Sequence, residues 1–221
     1  MNSFSKFKLT GLIISVILLS SYTSTYQDYG ITADLNRLNI TREFDNQAVT
    51  NWTADKDHSN VTFTLIHLGI AEIRGFFMDF SCTMKGTEDN YADSEIQFTI
   101  DVNSINTNNQ VRDQHLKSND FFNAVEFPQI KFSSKSFKYK GGKYKLIGDL
   151  TIRNVTKSVT FDVTHLGTVT TIGLEKTAFK AITTINRFDY NLNWNQTIEN
   201  GDLIVGKDVT IIINLEMDKD I

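Results

Sequence analysis

From Trp52 onward the apolar residues of this chain recur at every second position, and that period constrains the fold more than any other feature. A period of two sends successive side chains to opposite faces of a sheet. Ser94, Ile96, Phe98, Ile100 and Val102 alternate with Glu95, Gln97, Thr99 and Asp101, and Val209, Ile211, Ile213, Leu215 and Met217 alternate with residues such as Asp208, Thr210, Asn214 and Glu216. Similar rows place strands at about 60–67, 72–83, 94–103, 129–138, 143–153, 158–166, 177–185 and 206–217. Phe76 and Phe77 break the alternation and predict a bulge near Gly75. Gly141-Gly142 marks a tight hairpin, Asn154 suits a left-handed turn position, and neighbouring strands are therefore antiparallel. One stretch departs from the period: Asn109 to Asn123 sets Val111, His115 and Leu116 at helical spacing, which predicts a short helix between the third and fourth strands.

Each strand has one apolar and one polar row, so one face of the sheet must be buried. Eight antiparallel strands can bury it by closing into a barrel, which also removes exposed edges. With 40% hydrophobic and 22% charged residues in 221, the chain can build an ordinary core. A lipid-embedded barrel is disfavoured by the charges in the polar rows and by Lys138, Lys140, Lys143 and Lys145 around one hairpin. The formal charge is -4 and no Lys/Arg block stands out, which argues against a nucleic-acid partner. Cys82, alone, can close no intrachain disulfide and joins no ligand cluster.

At the N-terminus, Lys6 and Lys8 precede the apolar run Leu9 to Leu19, followed by small polar residues. This predicts a secretory signal over 1–24. The run is far shorter than the roughly 20 residues of a spanning helix, so no stable membrane span is expected. An uncleaved N-terminus anchoring the chain to the inner membrane is the alternative. Residues 25–50 read as a polar tether, and 51–221 as the barrel domain.

The four histidines, His58, His67, His115 and His165, form no HxxxH or HExxH pattern, and no GxSxG, GxGxxG or P-loop occurs. No metal, cofactor or catalytic residue is assigned, and an enzyme is not expected.

Over residues 51 to 217 the chain resembles the YceI-like family. The resemblance is carried by Trp52, Asp55, His58-Ser59, Val61, Phe63 and His67; by Gly75, Phe77 and Phe80; and by Ser104 to Thr107, Arg112-Asp113, His115 to Ser118, Asp120 to Phe122 and Pro128. Gly148, Leu150 to Arg153, Val155 to Lys157, Asn186-Arg187 and Asp189 continue it. Asn154 and Tyr190 depart from it, standing where the family usually has glycine. The resemblance implies a periplasmic, lipocalin-like barrel around an apolar tunnel that takes a polyisoprenoid or similar long-chain lipid. Val61, Phe63, Leu65, Phe98, Ile100, Phe132, Leu146, Leu150, Phe161, Val163 and Ile211 would then line the tunnel. His58, Arg112, Asp113, His115 and Arg187 are the candidates for its mouth and a lipid headgroup, the competing reading being an Arg/Asp network that ties the helix to the rim. Two rivals stay open: a structural or partner-binding barrel whose core is filled, and a lipid-modifying enzyme. A homodimer is compatible with the sequence, although no interface patch stands out.

Overall fold

The computed structural model describes residues 49–87, 91–199 and 201–221. The signal expected over 1–24 and nearly all of the tether lie outside them. Eleven strand segments appear in chain order: β1 (Val49–Ala54), β2 (Asn60–His67), β3 (Ala71–Phe77), β4 (Phe80–Thr87), β5 (Glu95–Asp101), β6 (Ile105–Asn106), β7 (Gln129–Lys140), β8 (Lys143–Ile152), β9 (Val155–Thr171), β10 (Leu174–Asn186) and β11 (Asp208–Lys219). A single α-helix, α1 (Gln110–Lys117), falls among the described residues between β6 and β7.

These segments make eight staves, because the first three are each interrupted once. β1 and β2 run one after the other along β11, Trp52 to Ala54 facing Lys219 to Met217 and Asn60 to Thr64 facing Asn214 to Thr210. β4 pairs with β1 and β3 with β2; β5 then pairs with β4, and β6 with β3. β7 to β11 follow in sequence order, each antiparallel to the next. The result is the expected all-β, eight-stranded closed barrel with one helix.

The first stave starts earlier than its period suggests. β1 begins at Val49, within the span assigned to the tether, and seats Trp52 in the core. The bulge expected near Gly75 is absent: β2 and β3 pair without a slip from Val61↔Phe77 to His67↔Ala71. Phe77 and Phe80 both point inward, with exposed Met78 and Asp79 interrupting the stave between them. Gly75 answers a packing need instead, since a Cβ there would lie 2.2 Å from the Phe63 ring. A real bulge occurs in β7, where the register slips between Ser134 and Ser136 and turns Phe137 into the core.

The turns follow local chemistry. Gly141 and Gly142 have φ of 63° and 83°, and Arg153 and Asn154 have φ of 47° and 59°. Positive φ at both central residues matches the right-handed twist of the flanking strands. Asn109 caps α1, its side chain accepting from the Arg112 amide at 3.0 Å. Of the apolar residues at helical spacing in α1, Leu116 packs against the core while Val111 does not. Val111 is 81% exposed and no helix residue is fully buried.

Candidate functional site

The barrel has two distinguishable ends. At the helix end, Arg153 donates to the carbonyls of Phe121 at 2.7 Å and Asn191 at 2.8 Å, which ties the segment after α1 to the loop after β10. At the hairpin end lie the Gly141-Gly142 and Ile172-Gly173 turns. Trp52 and Phe179 both pack edge-on against Tyr91 there, at 5.9 Å and 4.9 Å.

Between these ends the inward rows touch in places, as where the Phe132 and Phe161 rings lie 5.4 Å apart, yet leave room unfilled. They enclose a cavity of about 140 Å³ whose lining runs from Met84, Phe137 and Met217 at the hairpin end to Phe121, Arg187 and Leu192 at the helix end. One water needs about 10–15 Å³ of such room, so the space is roughly tenfold larger. Left empty, a void of this size would forgo about 3 kcal/mol of packing, at about 24 cal/mol per Å³. Val61, Phe63, Leu65, Phe98, Ile100, Phe132, Leu146, Leu150, Phe161, Val163 and Ile211 all lie on its wall. So do Phe121, Phe122, Phe137, Leu192 and Val205, which strand periodicity could not single out because they stand beyond a bulge or in loops. Among the described residues the wall holds no Asp, Glu, His, Ser or Tyr, and its ionisable members are Cys82, Lys131 and Arg187. Burial pushes the Cys82 thiol up to about 12, so it stays protonated and acts as a small hydrophobe.

The five mouth candidates part company. Arg187 lies on the cavity wall and is 2% exposed. Arg112 and Asp113 are absent from the wall. They do not pair with each other, and both clasp Thr107: Arg112 Nε donates to its Oγ1 and a terminal nitrogen to its carbonyl, each at 2.7 Å, while Asp113 Oδ1 accepts from its amide at 2.8 Å and its hydroxyl at 2.6 Å. This is the tie between helix and rim in another form, for Thr107 directly follows β6. His115 also stays off the wall, with Nε2 2.9 Å from Asp120 and its ring edge-on to Phe121 and Trp194. His58 stands elsewhere, in the interruption between β1 and β2.

There His58 Nδ1 lies 2.8 Å from Asp55, and Asp55, His58 and Glu216 present ligand atoms within 4.8 Å of one another. That spacing would suit a metal ion, but the Lys176 ammonium already sits among the carboxylates, 3.0 Å from Asp55, 3.0 Å from Glu216 and 2.6 Å from Asp218. Hydrogen bonds from His58 and Lys176 hold the Asp55 carboxyl down at about 2. The same contact with Asp55 raises the His58 pKa. Because the folded-state pKa of Asp55 is depressed below its ordinary 3.8, its contribution to stability is present above that value and is lost as the pH falls through about 2. Melting curves of wild type and Asp55→Asn should therefore differ at pH 5 and converge between pH 4 and pH 2. A constant difference across that range would remove Asp55 from the acid response.

The YceI-like domain profile matches residues 52–217 of this chain. A UPF0312 protein of Staphylococcus aureus is 39% identical over 163 residues, covering 73% of this chain and 93% of that protein. The crystal structure of BcnA from Burkholderia cenocepacia superposes with a TM-score of 0.63 at 26% identity, covering 74% of this chain and 98% of BcnA. A polyisoprenoid-binding domain from Saccharophagus degradans shares the fold at a TM-score of 0.58 and 16% identity, covering 76% of this chain and 98% of that domain.

Proposed function

This chain belongs to the YceI-like domain family, and from that premise we propose that its barrel binds one isoprenoid or comparable long-chain lipid and shields it from water. The observation that carries the reading is the cavity, with its wall of aliphatic and aromatic side chains. Each buried methylene of a guest gains about 0.8 kcal/mol, or roughly 4 kcal/mol per five-carbon prenyl unit before the cost of ordering the chain. No polar anchor is needed to hold such a chain, only its length in contact with the wall. The fold shared with the polyisoprenoid-binding domain of Saccharophagus degradans is compatible with the same class of guest.

Catalysis is the weaker reading, because the wall brings no acid and base together among the described residues. A solid structural barrel is disfavoured by the void itself. We further propose that the signal read over 1–24 exports the chain to the periplasm, where a shielded lipid can cross an aqueous compartment. No helix of the described residues is long and apolar enough to cross a membrane.

Titration of delipidated protein with geranylgeraniol, followed by displacement of the apolar fluorophore N-phenyl-1-naphthylamine, tests the binding step. Saturable displacement at one molecule per barrel is expected, and its absence would contradict the proposal. Phe63→Arg should abolish it, since Phe63 lies on the wall and seats against Gly75.

A further inference from the structure

We propose that the tip of the β9–β10 hairpin is a membrane-docking element, which inserts its apolar side chains into the surface of a lipid bilayer. The proposal goes beyond the lipid-binding reading and does not depend on it, because contact with a bilayer can be measured whether or not the barrel holds a guest.

β9 outruns its neighbour. Its ladder with β8 ends at Tyr144↔Val163, yet the strand continues to Thr171, paired there with β10 alone among the described residues. Eight residues at about 3.3 Å each carry the hairpin roughly 26 Å along the strand direction past that ladder. Leu166 and Val169 on β9, Ile172 in the turn and Leu174 on β10 are exposed on this extension. Between Asp162 and Glu175 no Asp, Glu, Lys or Arg occurs in twelve residues, in a chain with 22% charged residues. A free strand edge is ordinarily protected by charge or by proline, and this one has neither. A segment that enters a bilayer has the opposite requirement, since each charge taken there is costly.

Ile172 sharpens the case. It is 99% exposed, so it gains nothing from packing, and its φ of 50° puts a β-branched side chain in the left-handed region. With Gly173 at φ 79° it forms the two-residue turn in which asparagine-glycine is the ordinary choice. The equivalent turns of this barrel hold Gly141-Gly142 and Arg153-Asn154, and Leu68, the other aliphatic residue at positive φ, is half-buried. Neither folding nor solubility accounts for an isoleucine at the tip. Insertion does, because a side chain that is wet in the free protein leaves water in a bilayer.

The charges at the foot of the hairpin match such a surface. Lys140 and Lys143 face each other at the end of the β7–β8 ladder, next to Tyr144, and both are exposed. Their neighbours Lys138 and Lys145 pair with Asp93 and Asp162, whereas no acid among the described residues is within ion-pair distance of Lys140 or Lys143. An apolar tip above free lysines complements an apolar interior beneath anionic headgroups. The hairpin also stands beside the end of the cavity: the Thr168 hydroxyl is 2.7 Å from that of Tyr91, whose ring packs edge-on against the wall residue Phe179.

Flotation with vesicles of equimolar phosphatidylcholine and phosphatidylglycerol tests the docking. Wild type should float with the vesicles, and Ile172→Asn should bind at least about tenfold more weakly, the worth of one buried isoleucine side chain. Its melting temperature should stay level or rise, because asparagine accepts the φ of the turn. Val125→Ser, at an equally exposed position of the helix end, should bind like wild type. Lys140→Gln combined with Lys143→Gln should weaken binding to these vesicles and leave binding to phosphatidylcholine alone unchanged. Insertion can be read with Ile172→Trp in a chain whose only two tryptophans, Trp52 and Trp194, are replaced by phenylalanine. Its emission should shift to the blue with vesicles and be quenched by lipids brominated on their acyl chains. Wild type that stays off the vesicles, Ile172→Asn that binds as well as wild type, an equal loss in Val125→Ser, or an indole that stays in water would overturn the proposal. A lysine double variant that binds both vesicle types like wild type would remove the anionic headgroups from it.

Discussion

Ala181→Trp will leave the barrel folded and weaken binding of geranylgeraniol by at least about 100-fold, a loss of about 2.8 kcal/mol at 1.4 kcal/mol per tenfold. Ala181 is a small, half-buried wall residue of β10, set between Val163 of β9 and Ile213 of β11. It lines the cavity, so an indole placed there takes room a guest would use. In a filled core the same change would overpack the interior at a cost of about 1–3 kcal/mol. In the hollow barrel that cost is largely avoided, because the void of about 140 Å³ receives the ring. The series Val, Leu, Trp at position 181 should weaken binding stepwise while circular dichroism and melting temperature change little. A variant that melts much earlier while retaining affinity would mean that the wall is packed and the lipid binds elsewhere.

The second large effect is on stability. Gly148→Ala should destabilise the barrel by about 3 kcal/mol, the upper end of the range for overpacking, and lower the melting temperature by roughly 6–12 °C. A Cβ at Gly148 would lie 2.4 Å from the Phe132 ring and 2.4 Å from the Ser133 carbonyl oxygen. The ring could turn away, but the carbonyl belongs to the neighbouring strand, next to the bulge at Ser134–Ser136. β7 and β8 would have to part where their ladder is already interrupted. Thermal or denaturant unfolding measures this directly, and a change below 0.5 kcal/mol would show that the ladder yields at no cost.

Gly148 also shows how far the pattern of residues could be read. In a row of apolar side chains a glycine has two meanings, an open place in the wall or a seat for a large neighbour. Here and at Gly75 the second holds, because the rings of Phe132 and Phe63 occupy the space. The eight staves and the inward rows were legible because alternation is local and survives any closure of the sheet. What failed depended on contacts distant in sequence. Phe137 is inward only because a bulge shifts the parity of β7, and serines on either side of it carry no face preference. β1 escaped notice since Val49–Ala54 holds few apolar residues and is held by β4 and β11 from far along the chain. Phe76, taken as a sign of a bulge, is an outward residue with 40% of its surface exposed. Val111 helped to mark a helix that does form over Gln110–Lys117, although its own side chain lies in solvent.

The polar candidates divide for the same reason. Arg112 and Asp113 stand beside each other in the chain, yet each finds its partner in Thr107, five and six residues earlier. Arg187 differs because the carbonyls around it come from a loop up to 19 residues downstream, which no local spacing announces. Its place beside the cavity became visible only when the barrel brought that loop to it.

The central proposal is a hollow barrel that holds a long apolar guest, and mass spectrometry of an organic extract tests it most directly, on protein purified without detergent from its native cells. One isoprenoid or long-chain lipid per barrel, lost from Ala181→Trp purified in the same way, is the predicted result. Protein that repeatedly yields no stoichiometric lipid, and takes up none from added prenyl alcohols or prenyl phosphates, would contradict it.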